Sequence, residues 1–316
     1  MKILANDGIS QSGIDDLTTA GFEVLTTTVA QEQLVTFINS ENIVALLVRS
    51  ATTVRQDLID ACPGLKIIGR GGVGMDNIDV AYAREKGLNV INTPAASSES
   101  VAELVFAHLF SGVRFLYDSN RSMPLEGEKK FKNLKKAYAK GTELRGKTLG
   151  VIGFGRIGQA TAKMALGLGM KVIAFDPFME KTTVSLSFFD GQTVDFEIKT
   201  VSKETVLKES DFITLHVPAQ KDFVIGEVEL EMMKDGAALI NAARGGVVNE
   251  VALVAALDTD KLSFAGLDTF ENEPTPAVQI LMNSKISLTP HIGAATNQAQ
   301  DRIGSELASQ IISILK

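Results

Sequence analysis

The fold of this chain is decided by the stretch TLGVIGFGRIGQ, residues 148–159. The apolar run Leu149–Ile152 predicts a short strand, and a helical pattern extends from Gln159 to Leu168. Between them stands a Gly-x-Gly-x-x-Gly pattern, made by Gly153, Gly155 and Gly158. Glycines let the backbone turn tightly and approach a phosphate, and the start of the helix offers unpaired N–H groups to that anion. The stretch therefore predicts a phosphate-binding turn between a strand and a helix.

The spacing to the next acidic residue identifies the expected ligand. A second strand, Lys171–Phe175, ends at Asp176, which lies 18 residues beyond Gly158. This is the spacing of a dinucleotide-binding βαβ unit, in which the carboxylate accepts hydrogen bonds from the adenosine ribose. Because Asp176 would repel a 2′-phosphate, the sequence favours NAD over NADP.

Strand-length apolar runs alternate with helical segments along most of the chain. The predicted strands are Lys2–Asn6, Phe22–Thr26, Ile43–Arg49, Lys66–Arg70, Asn89–Thr93, Thr148–Ile152, Lys171–Phe175, Asp211–Val217, Ala237–Ala242, Phe264–Leu267 and Ile286–Thr289. The intervening stretches, such as Ser12–Ala20 and Gln56–Ala61, are predicted to be helices. This alternation is typical of parallel sheets built from βαβ units.

Two segments depart from the alternation. In Val184–Ile198 the runs VSLSFF and QTVDFEI flank Asp190-Gly191, which predicts an antiparallel hairpin. Ser97–Asn120 predicts one long helix, and the charge-rich segment Glu126–Lys140 after it predicts an exposed arm or loop.

Composition limits the class of protein. The chain has 316 residues, which is enough for two ordinary domains, and its formal net charge is −7. We expect no nucleic-acid partner, because binding would need a strong basic patch. The single cysteine, Cys62, excludes an internal disulfide and a multi-cysteine metal site, and no metal is expected. No signal peptide or membrane-spanning run is present, which predicts a cytoplasmic protein with no membrane partner.

Near-neutral proton transfer most often uses histidine, and the chain has three. His108 lies in an apolar helical stretch and is expected to be a packed helix residue. His216 ends a predicted strand before Pro218, so it is expected to border the cofactor more than to catalyse. His291, between Pro290 and a loop of small residues, is placed to project into a cleft, and packing and catalysis remain equally open for it.

Two further residues stand where strands end. Arg244 precedes two glycines, so its guanidinium has room to bind a carboxylate through both oxygens, although a solvated loop arginine is the default interpretation. Glu273 stands in another strand-exit loop. If it pairs with His291, it would hold the ring in one tautomer and favour its charged form.

These motifs occur together and in order. Gly153–Gly158 with Asp176, then Asn241–Gly246, Asp268–Pro274 and Thr289–Thr296, resemble the D-isomer-specific 2-hydroxyacid dehydrogenase family across essentially the whole chain. The resemblance implies that Arg244, Glu273 and His291 are the catalytic residues and that NAD is the cofactor. The residues that it places on NAD are Val73, Gly153, Gly155, Arg156, Ile157, Gly158, Asp176, His216, Val217, Pro218, Ala242, Ala243, Arg244, Asp268, His291, Gly293 and Ala294.

The resemblance also implies a substrate. Within the family, the chain most resembles the branch that oxidises the phosphorylated acid D-3-phosphoglycerate. The segments that show this resemblance are Val48–Thr52, Ile68–Arg70, Gly74–Asp79, Asn92–Pro94 and residues 141–150. Arg49 and Arg70 would end parallel strands and hold the phosphate; a structural ion pair is the alternative. The residues expected around the substrate are Arg49, Ser50, Arg70, Gly71, Gly72, Arg244 and His291. The other interpretations are a reductase of hydroxypyruvate, glyoxylate or another 2-oxo acid, and an NADH-sensing module without catalysis.

The expected fold class is α/β with two doubly wound parallel sheets. A Rossmann NAD domain, residues 99–288, is inserted into a flavodoxin-like substrate domain formed by residues 1–98 and 289–316, whose C-terminal helix covers roughly His291–Lys316. The resemblance implies a homodimer through the NAD domain, with Ser97–Asn120 and the following arm as the interface. The chain length predicts no appended regulatory domain.

Overall fold

A computed structural model describes all residues, 1–316, and divides the chain into two compact units. Unit 1 comprises Met1–Ser100 and Ala294–Lys316, and unit 2 comprises Val101–Gly293. The boundaries expected after residues 98 and 288 differ from these by two and five residues.

Unit 1 contains a five-stranded parallel sheet in the order β2-β1-β3-β4-β5. Its strands pair in register, for example Leu47 with Gly69 and Gly69 with Ile91. The sheet is buried on both faces, as expected for a doubly wound sheet: Leu4 and Leu46 on one face and Ile3 and Ile67 on the other are 0% exposed. Its elements are β1 (Lys2–Ala5), α1 (Gln11–Thr19), β2 (Glu23–Leu25), α2 (Gln31–Ser40), β3 (Ile43–Val48), α3 (Gln56–Ala61), β4 (Ile67–Arg70), α4 (Val80–Glu85), β5 (Asn89–Asn92) and α12 (Asn297–Leu315).

Unit 2 contains a six-stranded parallel sheet in the order β13-β12-β11-β10-β6-β7, which confirms the predicted α/β class with two parallel sheets. Its elements are α5 (Ser98–Val113), α6 (Leu116–Ala137), β6 (Thr148–Ile152), α7 (Arg156–Gly167), β7 (Lys171–Phe175), β8 (Lys181–Ser187), β9 (Thr193–Lys199), α8 (Lys203–Glu209), β10 (Phe212–Leu215), α9 (Glu227–Met232), β11 (Ala237–Asn241), α10 (Glu250–Asp258), β12 (Leu262–Leu267), α11 (Val278–Met282) and β13 (Ile286–Leu288).

The predicted hairpin is present. β8 and β9 pair antiparallel around a turn in which Gly191 takes a positive φ of 85°, a conformation that glycine adopts without strain. Val184 and Ile198 are buried against the core of unit 2, and a parallel bridge joins Thr200 to Ala174 of β7. The hairpin therefore returns the chain to the sheet beside Asp176.

The predictions for residues 97–140 were partly wrong. The single helix Ser97–Asn120 is broken at Phe115, whose left-handed φ of 56° separates α5 from α6. The segment Glu126–Lys140, predicted as an arm or loop, is helical as far as Ala137, with a kink at Lys130, whose φ of −119° and ψ of 19° are not helical. Charge density alone suggested a loop, but the segment is rich in helix-forming Lys and Glu, and Glu126 pairs with Lys130 one turn later.

The last helix was also predicted too long. α12 begins at Asn297, where the Thr296 side chain caps it by accepting from the backbone N–H of Ala299 at 3.2 Å. The residues from His291 to Thr296 form a loop instead of a first helical turn. None of the helices combines the length and the apolar composition that a membrane span requires.

Candidate active site

Most of the predicted site residues lie at the carboxyl ends of the strands of unit 2. Because all six strands are parallel, the residues that follow them meet at one edge of the sheet, where doubly wound folds bind ligands. Gly153–Gly158 follow β6, Asp176 follows β7, His216–Pro218 follow β10, Ala242–Arg244 follow β11, Asp268 follows β12, and His291–Gly293 follow β13.

The glycine turn has the shape that the motif predicted. Gly153 has a positive φ of 91°, and a Cβ there would lie 2.4 Å from the carbonyl oxygen of His216. A Cβ at Gly158 would lie 2.2 Å from the carbonyl oxygen of Gly153, so this glycine lets α7 pack closely against the turn. Gly155 differs, because no atom lies within 4 Å of its Cβ position. The open space therefore lies at the N-terminus of α7.

The residues at this turn fit a dinucleotide. Gly155 is the N-cap of α7 and supplies no side chain, so the first N–H groups of the helix remain available to a pyrophosphate. Asp176 is half-buried; its Oδ2 accepts from the Phe154 N–H at 2.8 Å and its Oδ1 from the Phe178 N–H at 2.9 Å. Each carboxylate oxygen has a second lone pair for a ribose hydroxyl. Arg156 and Ile157 open the helix beside them.

His216 borders this turn but cannot act as an acid or base there. Burial lowers the pKa of His216 to about 3, so the ring is neutral at physiological pH. Its Nε2 lies 3.2 Å from Thr161 Oγ1 and 3.1 Å from Thr214 Oγ1, and its backbone oxygen faces Gly153. These contacts assign it to the wall of the glycine turn.

His291 and Glu273 form a direct pair. The Nδ1 of His291 lies 2.8 Å from Oε2 of Glu273, and Oε1 of Glu273 accepts from the Phe270 N–H at 3.0 Å. A neutral His291 must donate from Nδ1 to the carboxylate, which leaves a lone pair on Nε2. Beside the pair lies an apolar cavity of about 430 Å³, bordered by Phe270 and three prolines among other residues. The pair can accept or return a proton at Nε2.

Arg244 is held in a loop that contacts the glutamate loop. Its Nη1 donates to the Ala243 oxygen at 2.7 Å, and its own carbonyl accepts from the Asn241 side chain at 2.9 Å. The next residue, Gly245, packs so tightly that a Cβ would lie 1.8 Å from the Phe270 oxygen. The guanidinium loop and the Glu273 loop are therefore fixed against each other through their main chains.

Asp268 fixes the loop that carries His291. It is 1% exposed, and its carboxylate accepts from the N–H groups of Ile292 and Gly293, each at 2.8 Å, and from the Thr289 hydroxyl at 2.6 Å. Thr289 was not among the predicted site residues, although its position directly after β13 indicated that it lies at the same edge of the sheet.

The other predicted residues belong to unit 1. Arg49 and Ser50 follow β3, Arg70 ends β4, and Gly71, Gly72 and Val73 come directly after it, whereas Ala294 is the first residue of the returning segment. Arg70 Nη1 donates to the Gly71 oxygen at 3.1 Å and lies 1.5 Å from the position of a Cβ at Gly72. The Cγ of Arg49 lies 3.5 Å from the corresponding position at Gly71. The Arg70 guanidinium and the aliphatic Cγ of Arg49 thus lie beside the two glycines.

Sequence reasoning also missed the residues that shape the Arg49 loop. The Asp7 carboxylate accepts from the backbone N–H groups of Arg49 at 2.6 Å and Thr52 at 3.1 Å. The Asn77 side chain donates to the carbonyl oxygens of Arg49 at 2.9 Å and Thr52 at 2.7 Å. Asp7 follows β1, so its place after a strand was a usable indication, but its partners are 42 to 45 residues away.

Comparison with known proteins places the chain in a family. Residues 106–293 match the model of the D-isomer specific 2-hydroxyacid dehydrogenase, NAD binding domain. The chain is 45% identical over 275 residues to the hydroxypyruvate reductase of Thermotoga maritima, covering 85% of this chain and 84% of that protein. It is 39% identical over 320 residues to the D-3-phosphoglycerate dehydrogenase of Archaeoglobus fulgidus, covering the whole chain but only 58% of that protein's length.

Solved structures agree with the fold. The D-lactate dehydrogenase of Aquifex aeolicus, complexed with NAD and lactic acid, is 30% identical, with a TM-score of 0.75 over 100% of this chain and 95% of that one. The chain belongs to the D-isomer-specific 2-hydroxyacid dehydrogenase family, and it is an NAD-dependent D-2-hydroxyacid dehydrogenase.

Proposed function

We propose that this dehydrogenase oxidises D-3-phosphoglycerate to 3-phosphohydroxypyruvate, the reaction that opens L-serine biosynthesis. The observation that carries the substrate choice is the position of Arg49 and Arg70 beside the Gly71-Gly72 turn of unit 1. Guanidinium groups bind phosphate through paired hydrogen bonds, and the absence of a side chain at Gly72 leaves the space that the Arg70 guanidinium occupies. The proposal assigns the substrate phosphate to these two arginines.

Arg244, Glu273 and His291 carry the chemistry in this proposal. Arg244 binds the substrate carboxylate and polarises the C2 oxygen. His291 takes the proton of the C2 hydroxyl at Nε2, because its Nδ1 is engaged with Glu273 at 2.8 Å. Glu273 stabilises the charged imidazole that results. NAD, when bound, supplies the acceptor for the hydride that leaves C2. In the reverse direction the charged His291 returns the proton to the C2 oxygen of the 2-oxo acid.

The residues proposed to hold NAD are those of the glycine turn, the strand ends and the His291 loop. The α7 N-terminus would take the pyrophosphate and Asp176 the ribose hydroxyls, as the free space at Gly155 and the open lone pairs of Asp176 support.

A second function is favoured by one specific observation. The Thermotoga maritima relative, named hydroxypyruvate reductase, is 45% identical and is covered over 84% of its length, whereas the Archaeoglobus fulgidus enzyme is covered over only 58%. Reduction of hydroxypyruvate or glyoxylate is therefore the second candidate. It uses the same roles for Arg244, Glu273 and His291 but needs no phosphate site.

An assay of paired substrates separates these functions. Initial rates of NADH consumption are measured with 3-phosphohydroxypyruvate, hydroxypyruvate and glyoxylate for the wild type, Arg49→Gln and Arg70→Gln. We expect each substitution to lower kcat/KM for the phosphorylated acid at least tenfold and for hydroxypyruvate less than threefold. Arg84→Gln, which removes an exposed charge from α4, is the control and should change neither value.

Three other results would change the proposed substrate, the role of His291 or the class of protein. A wild type that prefers hydroxypyruvate, with equal losses in both arginine variants, supports the second function. If His291→Ala retains turnover within a few-fold while still binding NADH, the proton role of His291 is wrong. NADH binding without turnover of any 2-oxo acid favours the non-enzymatic sensing module.

We also propose a homodimer through unit 2. The 22-residue helix α6 buries none of its residues, and it exposes Leu125 at 85% and Phe131 at 56%. Large exposed apolar side chains on one helix are typical of a protein interface, and a second copy of the chain would cover them. Sedimentation should give twice the chain mass of 33.8 kDa. Leu125→Glu combined with Phe131→Glu should give the monomer mass; an unchanged dimer would exclude α6 from the interface.

A further inference from the structure

We propose that His108 is a positioning residue that acts through Thr289 and Asp268 on the loop carrying His291. The inference rests on the proposed role of His291 and adds a residue from α5 to its support. His108 is 2% exposed, and both of its ring nitrogens have partners: Nδ1 lies 2.9 Å from Ser287 Oγ, and Nε2 lies 3.0 Å from Thr289 Oγ1.

The proton positions in this chain of hydrogen bonds follow from what each group can donate. An ionised Asp268 only accepts, so the single hydroxyl proton of Thr289 goes to Asp268 Oδ1 at 2.6 Å. The Thr289 oxygen must then accept from His108, which places the ring proton on Nε2. The Nδ1 of His108 therefore accepts from the Ser287 hydroxyl. Burial lowers the pKa of His108, which favours this neutral form.

The chain of hydrogen bonds ends at the loop that presents His291. Asp268 holds the N–H groups of Ile292 and Gly293, the two residues after His291, each at 2.8 Å. His291 itself has a left-handed φ of 53°, uncommon for any residue other than glycine, and its N–H donates to the backbone carbonyl oxygen of Thr289 at 3.1 Å. Such a conformation persists only where its surroundings fix it. His108 supplies part of that constraint by fixing the Thr289 side chain.

The sheet provides room for His108 at this place. Gly266, in β12, leaves a space where a Cβ would lie 2.6 Å from the Cβ of His108 and 2.9 Å from its Cγ. An α5 residue can therefore lie directly against the strand that leads to Asp268. Without the Nε2 proton, the Thr289 hydroxyl would keep its bond to Asp268 but lose the donor that fixes its orientation from the side of α5.

The test uses two amide substitutions that differ only in where they place an N–H group. The amide of His108→Gln reaches the position of Nε2 and can donate to Thr289, whereas that of His108→Asn reaches only the position of Nδ1. We expect kcat of His108→Asn to fall 10- to 100-fold, because small displacements of a reacting group cost rate steeply. His108→Gln should remain within threefold of the wild type. Ser287→Ala, which removes only the Nδ1 partner, should also remain within threefold.

A measurement on the protein without cofactor or substrate separates positioning from general stability. The chain has three histidines, so the imidazole ¹⁵N and Nδ1–H NMR signals of His291 can be assigned by substitution. The signal of the proton shared with Glu273 should persist in His108→Gln and broaden or disappear in His108→Asn. All variants are compared at a temperature at which thermal unfolding shows each to be folded.

The inference is overturned if His108→Asn and His108→Gln have equal kcat values and equal His291 spectra. It also fails if Ser287→Ala is impaired as strongly as His108→Asn, because the Nδ1 contact would then be the important one. Failure of the proposed role of His291 is recognised separately: His291→Ala would retain turnover, whereas the spectra would still report whether His108 fixes the loop.

Discussion

Gly245→Ala tests whether the Arg244 and Glu273 loops work only when their main chains touch. A Cβ at this position would lie 1.8 Å from the Phe270 oxygen and 2.6 Å from its carbonyl carbon. Both atoms are backbone, so no side-chain rotation relieves the contact. To reach even 3.0 Å, the shortest separation that real side chains show, the two loops must separate by about 1.2 Å.

That displacement acts on the catalytic pair. The Phe270 N–H donates to Glu273 at 3.0 Å, and Glu273 binds His291 at 2.8 Å. A misplacement of about 1 Å can cost on the order of 100-fold in rate, so we expect kcat to fall roughly 100-fold. Overpacking should also lower the free energy of unfolding by about 1–3 kcal/mol. Steady-state NADH absorbance gives kcat, and urea unfolding gives the stability change.

The control is Gly64→Ala, because no atom lies within 4 Å of its Cβ position and its φ is not positive. It should leave both quantities at wild-type values. A folded Gly245→Ala variant whose kcat stays within threefold of the wild type would refute the argument, since the loops would then tolerate separation without loss of function.

Three more predictions follow from the same site. Glu273→Gln keeps a hydrogen-bonding group but removes the negative charge that favours charged His291. We expect kcat for 2-oxo acid reduction to fall about tenfold, because both side chains are over a third exposed and solvent screens the lost charge. NADH binding, measured by fluorescence, should be unchanged. Asp176→Ser removes the charge that repels a 2′-phosphate, so the ratio of kcat/KM for NADPH to that for NADH should rise at least tenfold; an unchanged ratio would mean that another group excludes NADPH. For His216, burial lowers the pKa in the folded state to about 3, so its stabilisation is complete above a pH of about 6.5 and is lost as the pH falls towards 3, by up to about 1.4 kcal/mol per unit. Urea unfolding between pH 4 and 7 should show a shallower slope for His216→Gln than for the wild type.

Local sequence was enough for the elements whose partners are close in the chain. The hairpin β8–β9 followed from Asp190-Gly191, because a short turn with glycine in the left-handed conformation fixes the register of its own flanking strands. The glycine turn followed from three glycines between a strand and a helix. Gly158 packs against the Gly153 oxygen within the same βαβ unit, Gly155 leaves open space, and the contact of Gly153 with His216 involves a remote residue.

Predictions from local sequence were wrong where two local signals conflicted, or where the conformation depends on a residue that is remote in the chain. Residues 126–137 carry dense charge, which suggested a loop, yet their helix-forming side chains make α6 a helix with no buried residue. The break between α5 and α6 depends on the left-handed conformation of Phe115. Phenylalanine is not a residue type that indicates this conformation in a sequence.

The fold class, the dinucleotide turn and the residue types that a D-2-hydroxyacid dehydrogenase needs could be predicted from the chain, because periodicity and glycine spacing are local properties. Which groups meet depends on the folded arrangement. It paired Nδ1 of His291 with Glu273, and it placed His108 against Thr289, 181 residues away. It also made His216 a buried, neutral histidine. The physical reason is that hydrogen-bond partners and burial are set by the parallel strand order, which brings distant loops to one edge of the sheet.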